Sequence, residues 1–201
     1  MSDPSEVYYI VLRGSGWQPI FKDDEDLRRF TQGVAECAAA SRVTVHAWCW
    51  LATEARLAVQ IADVPISQFA QCMAEWHTRR MEREGALTGS HFEQKYRGVR
   101  VDGQTALVDL VRHIHLAPLK AGLTDDLTYY PWSSHRTYLG LQACPWLTTE
   151  ATLHDLAQAY GGDRERGYRE FMLQGVEQLD SLPIEQDGGT AGGDADLAGK
   201  S

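Results

Sequence analysis

The stretch RVTVHAWCWLATEARLAVQIA, residues 42–62, decides the fold. Two apolar runs rich in β-branched and aromatic residues, 42–51 and 55–62, meet at a short turn near Ala52–Thr53, which predicts two strands. Alternation places His46, Trp48 and Trp50 on one face of the first, as core or, if exposed, as a platform for bases. Upstream, VYYIVLR (7–13) reads as another strand and GSGWQP (14–19) as a loop. Residues 23–40 read as a helix, with acids in the first turn and Leu27, Phe30, Val34 and Cys37 at helical spacing. Downstream, Ile66 to about Glu84 is a second helix, HFEQKYRGVRV (91–101) a strand, and Thr105–Leu116 a third helix buried along Leu107, Leu110, Val111 and Ile114. The order β-α-β-β-α-β-α predicts an α+β fold, a ferredoxin-like antiparallel sheet with helices on one face. Such sheets serve many functions, so side chains must decide the rest.

The 201 residues make one domain with an appendage, and a hydrophobic fraction of 43% is ample for its core. Two further short helices are expected around 149–160 and 163–175. The sequence divides into a main domain over 1–140, a helical extension over 141–180, and a Gly/Ala/Asp-rich tail over 181–201 expected to be disordered. No secretory signal opens the chain, and AWCWLA (47–52) is too short to span a bilayer, so a cytoplasmic protein without membrane contact is expected. Cys37, Cys49, Cys72 and Cys144 form no C-x-x-C pair, which favours reduced core thiols over zinc or a disulfide framework. The net charge of -9 sits awkwardly with nucleic-acid binding, yet it is unevenly spread. Residues 76–120 are locally basic, carrying Arg79, Arg80, Arg83, Lys95, Arg97, Arg100, Arg112 and Lys120.

The phrase RHIHLAPLKAGL (112–123) resembles the end of the nucleophile helix in REP-associated tyrosine transposases, single-tyrosine HUH enzymes of the insertion-sequence-200-like class. Arg112, Ile114, His115, Leu116, Pro118, Ala121, Gly122 and Leu123 match its usual form. Further patches follow in order: Gly14 with Gln18-Pro19-Ile20-Phe21, then Phe92, Lys95 and Tyr96, then Trp132-Ser133-Ser134 with Tyr138, Leu139 and Gly140. His135 stands where that segment usually has a tyrosine. Pro145-Trp146-Leu147, Tyr168, Phe171 and Gly175 resemble the helical extension. The similarity covers roughly 7–177 and implies a transposase-like HUH-type domain.

The resemblance implies a chemistry, and the residues depart from it. In the family a tyrosine attacks a phosphodiester while Mg²⁺ or Mn²⁺, held by a His-hydrophobic-His strand, withdraws charge. Here HAWCWLATEARLAV aligns His46, Ala47, Leu57 and Val59, but the two metal histidines fall on Glu54 and Arg56. The nucleophile position holds His113, and a further ligand, an asparagine, becomes Ala117. Arg56 cannot ligate and Ala117 has no ligating atom, so no metal cofactor is expected. Glu54 and Arg56 share a strand face, where they can pair in the vacated place, or Arg56 can face a phosphate instead. His113 reads as a nucleophile, or as a base oriented by Asp109 one turn earlier, or as a polar-face residue whose partner metal is absent. Tyr96, Tyr129, Tyr130 and Tyr138 are substitute nucleophiles by residue type only.

The expectation is a transposase-like DNA-binding protein, related to DNA transposition, that recognises single-stranded or hairpin DNA and has lost strand cleavage. RNA hairpins remain possible partners. Phosphate contacts are expected from Arg79, Arg80, Arg83, Lys95, Arg97 and Arg100, with Tyr96 stacking. The alternatives are an active transposase or nuclease with substituted residues, and a protein-interaction module derived from a transposase.

Overall fold

The computed structural model describes residues 6–62, 64–83, 92, 96–101 and 103–179. Four strands, β1 (Glu6–Arg13), β2 (Thr44–Trp50), β3 (Glu54–Ile61) and β4 (Arg97–Val101), form one antiparallel sheet in the order β2-β3-β1-β4. Helix α1 (Asp24–Ser41) links β1 to β2, and α2 (Ile66–Arg83) links β3 toward β4. This is the expected ferredoxin-like layout. Helices α3 (Gln104–His115), α4 (Ala117–Lys120), α5 (His135–Tyr138), α6 (Glu150–Ala159) and α7 (Arg164–Leu179) follow.

Helix α1 begins where the sequence predicts. The Asp23 carboxylate accepts from the Asp26 backbone N–H at 2.9 Å, and Asp24, Glu25 and Asp26 complement the helix dipole. Phe30, Val34 and Cys37 then pack with Phe69, Ala70 and Met73 of α2 against Ile10, Trp48, Trp50, Leu57 and Val59. Trp48 and Trp50 are therefore core residues. Gly33 allows the two helices to close up, because a Cβ there would meet the Trp76 ring at 2.4 Å. The spacing of the cysteines favours reduced thiols, but the structure joins Cys37 of α1 to Cys72 of α2 as a disulfide. Packing of two helices created that pair, and sequence spacing carries no trace of it. Cys49 and Cys144 remain free.

Helices α1 and α2 cover one face, as expected; α3 and the C-terminal helices cover the other. There Leu107, Val111 and Ile114 of α3, Leu156 of α6, and Phe171 and Met172 of α7 pack with Ala47, Cys49 and Ala58. The extension thus shares a core with the sheet. A strand buried on both faces reads as a continuous apolar run, as VYYIVLR and VHAWCWL do. Gly175 lets α7 approach α3, since a Cβ there would lie 2.6 Å from the Arg112 side chain. The 181–201 tail lies outside the described residues. No helix among the described residues is long and apolar enough to cross a membrane.

The Trp132-Ser133-Ser134 segment closes the free edge of β2. The Trp50 N–H donates to the Trp132 carbonyl and the Ser134 N–H to the Trp48 carbonyl, each at 2.9 Å. Farther along, the Thr148 N–H donates to the Val45 carbonyl at 2.8 Å. An exposed sheet edge invites unwanted pairing, and this segment covers it.

Candidate functional site

The four positions singled out in the sequence converge on the α3 face of the sheet. Glu54 opens β3 opposite Arg13 of β1, and Arg56 lies opposite Val11. Glu54 is buried, and its carboxylate is fully engaged. Oε1 accepts from Arg56 Nε at 2.7 Å and also from its Nη2, while Oε2 accepts from Arg13 Nε at 3.3 Å. Burial opposes the charge on Arg56, but Tyr9 and Glu54 outweigh it and raise its pKa. Arg13 also lies over the Trp17 ring, 4.2 Å from its centroid. The expected pairing of Glu54 with Arg56 is present, and Arg13 joins it as a third member.

His113, in the last turn of α3, points at this cluster. Its Nε2 lies 3.3 Å from the Tyr9 hydroxyl, with the rings edge to face. Burial, then the charges of Arg56 and Lys120, lower the His113 pKa to about 4. Burial pushes Tyr9 up to about 12. At neutral pH both groups are uncharged. Both shifts oppose moving the tyrosine proton to that imidazole, so the pair is a poor nucleophile and base. Asp109 does not orient His113: its carboxylate accepts from Arg112 at 2.9 Å. Ala117 is buried at the start of α4. Tyr9 and Arg13 escape the sequence reading, although alternation along β1 puts both on the face of Glu54 and Arg56.

The residues at this site do not fit a divalent cation. One carboxylate, already shared by two guanidinium groups, is the only acidic ligand in the cluster. Among the described residues, no three His, Cys, Asp or Glu side chains stand together as a metal site would require.

A second polar cluster lies deeper under α3. His115 is fully buried, with Nε2 2.7 Å from Ser134 Oγ and Nδ1 2.8 Å from the Tyr168 hydroxyl. The same hydroxyl meets His135 Nδ1 at 2.5 Å. Ser134 Oγ accepts from the Trp48 N–H at 2.9 Å and donates to the Trp48 carbonyl at 3.3 Å. One proton arrangement satisfies the whole chain: His135 donates to Tyr168, Tyr168 to His115, and His115 to Ser134. Burial lowers the pKa of His115 well below its ordinary value and that of His135 to about 4, so both stay neutral. Nearby, Tyr138 donates to the His46 carbonyl at 2.8 Å, and Tyr130 to the Trp50 carbonyl at 2.7 Å. Both are thereby tied into the scaffold; Tyr129 is exposed.

No protein-family model matches the sequence, and no curated protein is detectably similar to it. Comparison of the structure itself does find similar folds. A REP-associated tyrosine transposase, solved bound to a REP hairpin, superposes with a TM-score of 0.59 at 12% identity, over 74% of this chain and 88% of that one. The chain has the transposase fold. A candidate transposase from Deinococcus radiodurans R1 gives a TM-score of 0.42 at 13% identity, over 58% of this chain and 87% of that one.

On this transposase fold the expected phosphate contacts fall on separate surfaces. Arg79 and Arg80 line an open groove of about 610 Å³ along α2, beside Gln71, Glu75 and Trp76. Arg79 pairs with Glu75 at 2.6 Å, and Arg80 approaches Asp26 at 3.9 Å. Arg97 lies opposite Val11 and so shares the face of Arg56; Arg100 lies opposite Tyr8, on the α2 face, and pairs with Glu6 at 2.6 Å. Tyr96 is half-buried against the α1 and α2 core and packs over Gly98. Arg83 ends α2, but its side chain, like Lys95 as a whole, lies outside the described residues.

Proposed function

We propose that this protein binds single-stranded or hairpin DNA on its transposase fold and does not cut it. The observation that carries this reading is the Arg13–Glu54–Arg56 cluster. Three ionic side chains satisfy one another where the resemblance implies a metal, with neutral His113 in the nucleophile place. The likeness to a transposase solved with a REP hairpin supports hairpin DNA as the ligand class. Arg79 and Arg80 along α2, and Arg97 beside the altered site, supply cations despite the overall charge of -9. Counterion release depends on phosphates contacted locally, so a local group of cations on either face of an acidic protein suffices.

Fluorescence anisotropy with a labelled REP-type DNA hairpin tests the binding half. Affinity should fall with salt; Arg79→Ala with Arg80→Ala should flatten the log–log salt slope by roughly 1.4 if the α2 face carries the DNA, and Arg97→Ala by about 0.7 if the opposite face does, at about 0.7 per phosphate contact. Absence of hairpin binding at low salt would favour a protein-interaction module instead. A matched RNA hairpin in the same titration measures the sugar preference.

A further inference from the structure

Between its two pairings with the β2 edge, the chain leaves the strand, and a pocket of about 210 Å³ opens under residues 142–146. Buried Trp48 forms its floor. The ring of Trp48 stacks on Trp50 at 4.8 Å and 21° and on Trp146 at 6.0 Å and 19°, so the indoles form a nearly parallel tier. Trp132, half-buried, makes a further wall, and the Arg28 guanidinium lies 6.0 Å from its ring centroid. Trp48 belongs to the α1 and α2 core, so this pocket opens on the sheet face opposite the Glu54–Arg56 cluster.

We propose that this pocket receives one unpaired nucleobase of the bound DNA, stacked on Trp132 and Trp146, with Arg28 on the adjoining phosphate. The proposal rests on the DNA-binding reading above and assigns it a subsite. Three observations select the occupant. The volume lies below the roughly 300 Å³ at which sites for drug-sized ligands begin, which suits a single planar ring. The walls are aromatic planes, the surface on which any base stacks regardless of sequence. Arg28 is the one formally charged residue among the described lining residues, and in this acidic chain it complements a phosphate. Its partner Glu25, at 3.1 Å, does not hold it firmly, because both side chains are at least half exposed and such pairs are weak. A proline-rich peptide also docks on aromatic grooves, but it needs an extended channel for several residues rather than a pocket for one ring.

The test places 2-aminopurine, whose fluorescence falls on stacking, at an unpaired position beside the stem of a DNA hairpin. The full-length protein should quench it. Trp132→Ala should restore the fluorescence and weaken hairpin binding on the order of ten-fold, while Trp132→Phe retains most of the affinity. Arg28→Ala, on an exposed turn of α1, leaves the fold intact and should lower the salt slope by about 0.7. Circular dichroism of each variant separates lost binding from lost folding. If the hairpin binds, yet the probe stays bright and both Ala variants bind like wild type, the pocket assignment is wrong and the DNA-binding reading stands. If a proline-rich decapeptide, and not the hairpin, perturbs the tryptophan emission in a Trp132-dependent way, the occupant is a peptide. If no hairpin binds even at low salt, the DNA-binding reading and the subsite fall together.

Discussion

His113 and His115 sit two residues apart on α3 and enter opposite kinds of surroundings. Around His115 both ring nitrogens are bonded at 2.7 and 2.8 Å, and the chain of partners ties α3, α5 and α7 to the β2 edge. Around His113 one nitrogen makes a 3.3 Å approach to Tyr9, beside two arginines that share a single carboxylate. The first cluster is built to hold helices. The second is a charge cluster at the place where the resemblance implies chemistry. Departure from the resembled pattern therefore does not by itself decide a role: His135, which also departs, is bonded into the first cluster and holds helices, whereas Glu54, Arg56 and His113 gather around a shared charge.

That contrast can be broken by mutation. His115→Ala should be the costliest change, about 3–5 kcal/mol, because it opens a cavity and strands Ser134 and Tyr168 without their partner. Urea unfolding measures it, and a loss below 1 kcal/mol would demote the network to incidental packing. Glu54→Ala should cost less, about 2–3 kcal/mol, since it leaves Arg56 without its counter-ion but about a fifth exposed. Replacing Arg13, Glu54 and Arg56 together by apolar residues should recover most of that loss, because no member of the cluster is then left without its counter-ion. If the triple variant is worse than the single, the cluster stabilises the fold rather than merely filling the site.

Acid should weaken the protein through both clusters. His113 and His135 titrate near 4 in the folded chain and near 6.5 when unfolded, so the unfolded state binds more protons between those values. Their contribution is intact above pH 6.5 and is lost as pH falls toward 4. Between pH 7.5 and 5.5 each should cost about 1 kcal/mol. Denaturant midpoints recorded across this range should decline; a flat profile would mean these histidines are not buried neutral.

Much of the fold was legible in the sequence, because hydrophobic periodicity and the acidic start of α1 mark elements locally. The second helical face was less visible: VYYIVLR is apolar at nearly every position, which fits burial on both sides but does not name what covers them. The Cys37–Cys72 bond and the stacked Trp48 and Trp146 arise from packing between distant segments and leave no local pattern. At the altered site, alternation sufficed to pair Glu54 with Arg56. Tyr9 and Arg13 belong there by the same alternation on β1, but only the strand order puts β1 next to β3. The arginines of 97–100 looked like one surface in sequence, whereas successive strand residues point to opposite faces, which parts Arg97 from Arg100.

The central claim is that binding has outlasted cleavage. The direct measurement incubates the full-length protein with an end-labelled REP-type DNA hairpin and Mn²⁺, then resolves the mixture on native and denaturing gels. The account predicts a shifted native complex and, after denaturation, only intact free hairpin. A nicked product, or a covalent adduct abolished by Tyr9→Phe or His113→Ala, would contradict it and identify the nucleophile.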